Sequence, residues 1–345
     1  VSQWFAEYGL FLAQLVTLGV MILAALAIVG RAKAGQAHGQ LRIEELDKRY
    51  RARQRQLSLV GLDKKRRKAA LKAFKRDDKH RDKHRDKRDG AKRPTLWVLD
   101  FHGDIKASGT ARLAEEVSLI LGVIDERDEV AIRLESPGGL VHAYGLAAAQ
   151  LDRLRDAGVS TTVCIDKVAA SGGYMMACCA DRLRAAPFAV LGSIGVVAQL
   201  PNIHRLLKRH DVDVELLTAG RYKRTLTVLG ENTEEGREKF IEELESTHAL
   251  FKRFVAERRQ GLDIDAIATG ETWYGSQAVD KGLIDAVGTS EAYLLERMND
   301  ARVVTVSLEK RRRLTERLGR AVSLGIEGGL QRIYEALEAS GWQRR

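Results

Sequence analysis

Two glycine-containing loops carry residue types suited to acyl chemistry. Each follows an apolar strand-like run and precedes a helical one, a junction that exposes backbone N–H groups. The first is Glu135-Ser136-Pro137-Gly138-Gly139, after EVAIRL. Its proline and two glycines favour a sharp turn whose amide hydrogens can face an oxyanion. The second is Ala169-Ala170-Ser171-Gly172-Gly173-Tyr174, between CIDKV and MMACCA. Ser171 there has two open readings. It is a helix N-cap, the common role of such a serine, or a nucleophile whose neighbour Gly172 offers an oxyanion amide. Taken alone, the first loop is equally an ordinary strand-to-helix turn.

A nucleophilic serine needs a base. The usual arrangement is a histidine oriented by a carboxylate, but the nearest downstream histidine, His204, lies 33 residues on without an evident partner. A lysine serves if burial keeps it neutral, because desolvation disfavours the ammonium. Lys223, in TAGRYKRT after DVELL and a glycine turn, is one such residue, and composition alone leaves it equally a solvated charge. The eight histidines include no HExxH, and there is no paired CxxC, so neither a metal nor a cofactor is expected. Phosphate-loop and dinucleotide fingerprints are likewise missing from the sequence. Cys164, Cys178 and Cys179 lie in apolar surroundings and read as small core residues.

The elements that must hold these loops follow from periodicity. Past Pro94, TLWVLDF, ARLAEEVSLILGVI, EVAIRLE, VHAYGLAAAQLDRLRDAG and TTVCID alternate strand and helix patterns, an α/β succession. It continues through a strand expected at Asp213 to Leu217, a charged amphipathic helix from about Thr233 to Arg259, and a helix–strand pair ending near Val306. The uncharged stretch Ala185 to Ile203 holds Pro187, Gly192, Gly195 and Pro201, which suit buried strands and turns better than a membrane span.

The remaining sequence is unlike this body. Tyr8 to Gly30 is a run of 23 residues without charge, against the ~20 needed to span a bilayer, and no basic residue precedes it. A membrane anchor is expected rather than a cleaved signal. Residues 31–93 contain 24 of the 57 Lys and Arg but 9 of the 47 Asp and Glu. The excess basicity of the chain is thus concentrated in one segment, expected to be helical in its middle and a solvated linker at its end (KRDDKHRDKHRDKRDGAKRP). Attraction to anionic lipid is its sharper role. Nucleic acid is not expected as a partner, since acidic residues are interleaved and aromatics for stacking are few. The resulting organisation is an anchor at 1–30, a basic linker at 31–93, a catalytic body at 94–307 and C-terminal amphipathic helices at 308–345.

At ESPGG, DKVAASGGYMMA, GSIGV, DVELLTAGRYKR and ENTEEGREKF, in this order and spacing from roughly Thr95 to Val306, the sequence resembles the SppA/SohB family of membrane-associated serine peptidases, most of all its SohB branch. The resemblance implies a Ser-Lys dyad, with Ser171 as nucleophile and Lys223 as general base. It puts Gly139, with Gly138 beside it, and Gly172 on the oxyanion hole, and gives Ser193 an orienting role for the lysine. It implies an α/β fold of the Clp protease and crotonase type, a spiral of ββα units, and homo-oligomers in which Lys223 can face a neighbouring subunit's serine. Arg221 and Arg224 make the lysine loop more basic than the family pattern.

The reading is therefore a serine endopeptidase anchored by one span in the cell inner membrane, with peptide or protein substrates of hydrophobic, signal-peptide-like character and membrane lipid as a second partner. A crotonase-like acyl-CoA enzyme using the same amides, and a non-catalytic membrane scaffold, are the rivals. Basic residues just after the span predict a cytoplasmic body, whereas the family resemblance implies a periplasmic one.

Overall fold

The computed structural model describes residues 39–87, as backbone alone over 78–87, and 93–309, with the isolated positions Gln14 and Thr17. The expected anchor and the expected C-terminal helices beyond 309 lie outside the described residues. Among the described residues no helix is long and apolar enough to cross a membrane. The chain groups into a body, Ile43–Ser307, and a second unit made of both ends, Val1–Arg42 with Leu308–Arg345. In the described part of the second unit, Arg42 Nη1 and Glu309 Oε1 meet at 2.7 Å.

In chain order the elements are β1 (Gln40–Glu45), α1 (Leu46–Ser58), α2 (Lys64–Lys87), β2 (Thr95–His102), α3 (Thr110–Leu121), β3 (Glu129–Glu135), α4 (Val141–Asp156), β4 (Ser160–Ile165), β5 (Val168–Ala170) and α5 (Gly172–Ala177). They continue as β6 (Arg182–Ala185), β7 (Val190–Gly192), α6 (His204–Arg209), α7 (Glu234–Arg258), α8 (Ile264–Ile267), β8 (Thr272–Tyr274), α9 (Gly275–Ala278), β9 (Ala286–Val287), α10 (Ser290–Arg297) and β10 (Arg302–Glu309). One sheet runs β1-β10-β2-β3-β4-β6-β9, parallel at every pair from β10 to β9. A second, three-stranded sheet runs β5-β7-β8. The α/β class expected from the alternating pattern is observed.

Strands covered on both faces read as nearly continuous apolar runs, and β2 and β3 show why. Leu99, Phe101, Val130 and Ile132 face a core shared with α3, α4 and α5, through Val117, Leu151 and Met176. Leu96, Val98 and Ala131 face the opposite side, against Leu46 of α1 and Tyr293 and Leu294 of α10. The basic segment is thus not wholly a detached linker: its start packs on the sheet, and Asp47 accepts the Val303 N–H at 2.9 Å. Cys164, Cys178 and Cys179 are free and buried, and burial pushes the Cys164 thiol up to about 12, which leaves it an inert packing residue.

Three expectations need correction. Asp213 to Leu217 forms no strand; its apolar side chains find no partner strand, and Leu217 is 86% exposed. The stretch Ala185 to Ile203 is core only in its first half: Leu191 and Ile194 are buried, but Val197 is 91% exposed. The tail of the basic segment is helical as far as Lys87, because Lys, Arg and Ala sustain a helix and the first breaker after Lys64 is Gly90.

Asp128 ties the start of the central strand to the turn before β3. Its carboxylate, in a residue only 7% exposed, accepts the Thr95 N–H at 2.7 Å and the Trp97 indole N–H at 3.1 Å. Replacing Asp128 by Ala strands both donors, and we expect a loss of about 1–3 kcal/mol, measured by urea unfolding of the full chain; an unchanged midpoint contradicts it.

Candidate active site

Ser171 occupies the junction of β5 and α5 with φ +52° and ψ −120°, a region that costs a non-glycine residue of order 1–3 kcal/mol. An N-cap serine has an extended backbone and accepts an amide hydrogen on its hydroxyl. Ser171 has neither: no side-chain cap bond is formed. Its main chain is held instead. The Ser171 N–H donates to Gly192 O at 2.8 Å, and Ser171 O accepts the first helical bond from Met175 N at 3.0 Å. The hydroxyl of a half-buried residue is thereby left without a structural task, the first requirement of a nucleophile.

The second sheet supplies the strain. β5 and β7 pair in parallel, with Ala170 opposite Gly192. The next residues, Ser171 and Ser193, both turn out of their strands at positive φ, +52° and +50°. Ser193 is fixed by its own N–H to Glu271 O at 2.6 Å. Gly192, at φ +95°, has no room for a side chain: a Cβ there would lie 2.7 Å from the Trp273 ring. Ser193 therefore leaves its strand one residue past the same paired position as Ser171.

The ESPGG loop is brought alongside by a bridge between Ser136 and Ala169. Ser136 N–H donates to Val168 O at 2.8 Å and Ala170 N–H to Ser136 O at 3.1 Å. Gly138, at φ +89°, comes so close that a Cβ would stand 2.7 Å from Gly172 N and 2.8 Å from Ser171 Cβ. Gly139 is pressed on the other side, where a Cβ would be 2.2 Å from Ile105 O, and the next amide, Leu140 N–H, bonds that same oxygen at 2.9 Å. Gly138 and Gly172 thus stand against Ser171, and Gly139 follows directly in the same loop.

Their amides are not equivalent. Gly138 N–H is already committed to Ser136 Oγ at 3.1 Å. Gly172 N–H, at the first position of α5, has no acceptor inside its helix, and among the described residues Gly139 N–H meets no protein acceptor. The two open donors are therefore Gly139 and Gly172. Sequence reasoning treated Gly138 and Gly139 together, and it passed over Ser136 and Tyr144, although Ser136 lies within the ESPGG motif itself.

Lys223 is not buried in the single chain. It lies in an irregular segment between α6 and α7 and is exposed; its own N–H bonds Gly220 O at 3.1 Å. Among the described residues no hydrogen bond joins its ammonium to Ser171 or Ser193. The segment is pinned to α7 by its neighbours: Arg221 pairs with Glu235 through bonds of 3.0 and 2.7 Å, and the Tyr222 ring lies under Arg221 and Lys239. Desolvation of the amine, expected for a general base, is not provided by the described residues. A cavity of about 340 Å³ bordered by Asp100, Arg133, Asp166 and Ser290 reaches Glu135 at the start of the ESPGG loop but includes none of the six expected site positions.

Comparison with known proteins gives matches to a family and to individual relatives. The N-terminal model of peptidase family S49 matches residues 3–151, and the peptidase family S49 model matches residues 153–304. The chain is 50% identical over 325 residues to the probable protease SohB of Haemophilus influenzae, covering 91% of both chains. It is 56% identical over 204 residues to the probable protease SohB of Buchnera aphidicola subsp. Schlechtendalia chinensis, covering 59% of this chain and 67% of that one. A solved structure of the 1510-N membrane-bound stomatin-specific protease aligns with a TM-score of 0.37 at 14% identity, over 64% of this chain and 96% of the other.

Gly138→Ala forces a Cβ into the backbone of Ala170 and Gly172 at a positive φ. We expect peptide hydrolysis to fall by about 100-fold or more, the scale of losing an oxyanion donor, with a lower melting temperature. Activity within twofold of wild type contradicts the packing of these loops around Ser171.

Proposed function

This chain belongs to peptidase family S49 and is a serine protease, and from that premise we propose that Ser171 and Lys223 form its Ser-Lys dyad. The observation that carries the reading is the strained serine with an uncommitted hydroxyl, flanked by the open amides of Gly139 and Gly172.

The free amine of Lys223 takes the proton of Ser171 Oγ as that oxygen attacks the peptide carbonyl. The carbonyl oxygen becomes an oxyanion facing Gly139 and Gly172 N–H. Collapse expels the amine product, which receives the proton from the Lys223 ammonium. Water, deprotonated by the same amine, then hydrolyses the acyl ester and restores Ser171. The Ser193 hydroxyl accepts a hydrogen bond from the Lys223 ammonium and orients it. Its place one residue past the Ala170–Gly192 pair, matching that of Ser171, supports this role.

Because Lys223 is exposed in one chain, we assign its working position to a contact with a second copy. The apolar residues it travels with support such a contact: Leu216, Leu217 and Tyr222 are all exposed. The same reading includes a single membrane anchor at Tyr8 to Gly30, in the cell inner membrane, and the basic helix α2 as a lipid-facing element, where attraction is worth ~1 kcal/mol per basic residue near an anionic surface. Hydrophobic, signal-peptide-like peptides fit a site tethered close to the bilayer and walled by glycine and alanine.

Ser171→Ala and Lys223→Ala are each expected to abolish hydrolysis of an apolar fluorogenic peptide by the full chain in detergent. Co-assembling the two dead variants regenerates sites with one intact serine and one intact lysine, so activity returns if the dyad spans two subunits. No recovery after verified mixed assembly contradicts the shared site, and unimpaired activity of either single variant contradicts the dyad.

A further inference from the structure

Gly138 N–H lies nearer the nucleophile than most amides of the body, yet it is turned away to a side chain. Its acceptor, Ser136 Oγ, is completely buried and also contacts Tyr144 Oη at 2.6 Å. Tyr144 Oη in turn meets Asp104 O at 2.8 Å. Only one assignment of hydrogens satisfies all three contacts. A carbonyl oxygen can only accept, so the Tyr144 hydroxyl donates to Asp104 O; the Ser136 hydroxyl then donates to Tyr144 Oη; and Ser136 Oγ accepts from Gly138 N–H.

We infer that Ser136 and Tyr144 are positioning residues for the oxyanion hole, which fix the Gly138–Gly139 backbone so that Gly139 N–H, not Gly138 N–H, is presented to the oxyanion. This deepens the proposed peptidase reading and rests on it. The relay has a one-way polarity that ends at a main-chain carbonyl, which also accepts Ala107 N–H at 2.9 Å and has no hydrogen to give back. Burial pushes the Tyr144 phenol above its ordinary range, so it remains a donor wherever the enzyme works. The surroundings leave the relay no slack. A Cβ on Gly103 would stand 2.3 Å from Ser136 Oγ and 2.4 Å from Tyr144 Oη, and a Cβ on Gly172 would stand 2.4 Å from Tyr144 Cγ. The Tyr144 ring thus supports one oxyanion amide by packing under Gly172 and the other through its hydroxyl. Without the Ser136 acceptor, the Pro137–Gly138 peptide loses the hydrogen bond that fixes it, and Gly138, with no Cβ to restrict its φ and ψ, no longer holds Gly139 N–H in one direction.

The test uses the full chain in detergent, with Ser136→Ala and Tyr144→Phe compared with wild type and Ser171→Ala for kcat, KM and melting temperature. Hydrolysis by wild type that Ser171→Ala abolishes establishes the underlying reading; its failure there is separate from failure of the relay. Ser136→Ala, which removes the acceptor of Gly138 N–H, is expected to lower kcat by about 10- to 100-fold with KM within about twofold. Tyr144→Phe keeps that acceptor and is expected to lower kcat less, while losing at least as much melting temperature because it leaves the buried Ser136 hydroxyl without its own acceptor. Opposite orders for activity and stability are the signature of positioning. The inference is overturned if Ser136→Ala keeps kcat within twofold of wild type, or if kcat simply follows melting temperature across the two variants. Should Ser136→Ala fail to fold, Tyr144→Phe is read alone: kcat lowered more than twofold with KM within about twofold supports the inference, and any other result, wild-type kcat beside a lower melting temperature included, overturns it.

Discussion

The pairing of β5 with β7 is the constraint on which the site depends. It holds Ser171 N–H against Gly192 O and so keeps the serine at a backbone angle it would not adopt alone. A relaxed serine at a helix start would turn its hydroxyl onto the helix amides. The strained one cannot, and its oxygen stays available. The cost, of order 1–3 kcal/mol, is offset by neighbours buried on every side: Ala169, Tyr174, Met176 and Leu191 are all sealed in the main core. Strain at Ser171 thus rests on the apolar packing of the small sheet and of the helix that follows it.

From this point the rest of the arrangement is a matter of close approach. Three glycines, at 138, 139 and 172, let three backbone segments come within a side chain's distance of one another. The main sheet contributes the ESPGG loop from the end of β3, the small sheet contributes both serines, and α4 contributes the tyrosine beneath them. Neither sheet contains a site alone. The bridge between Ser136 and Ala169 joins them, and the open amides lie along that seam.

The sequence was most legible where burial on both strand faces or a clean helical period dominated. EVAIRLE became β3 without a shifted residue, and Glu234–Arg258 reproduced the charged amphipathic helix, capped by Thr233 as its N-terminus required. Period alone misled at DVELL, because alternating apolar residues promise a strand without saying which partner pairs with it. The gathering of Ser171, Gly172, Gly138 and Gly139 came from recognising family motifs; spacing alone left each loop with an ordinary alternative. The Tyr144 relay was not legible at all. A tyrosine among the apolar positions of a helix looks like core, and only its hydroxyl contacts separate the two roles. Lys223 marks the opposite limit: its loop is anchored by Arg221 and Glu235, yet no described residue covers its amine.

The most direct test of the central claim is the structure of the full chain inactivated by a peptide boronate. The account predicts a bond from boron to Ser171 Oγ and one boronate oxygen at about 2.7–3.1 Å from both Gly139 N and Gly172 N. An adduct on another residue, or a boronate oxygen bound by Gly138 N with Gly139 N turned away, would contradict it.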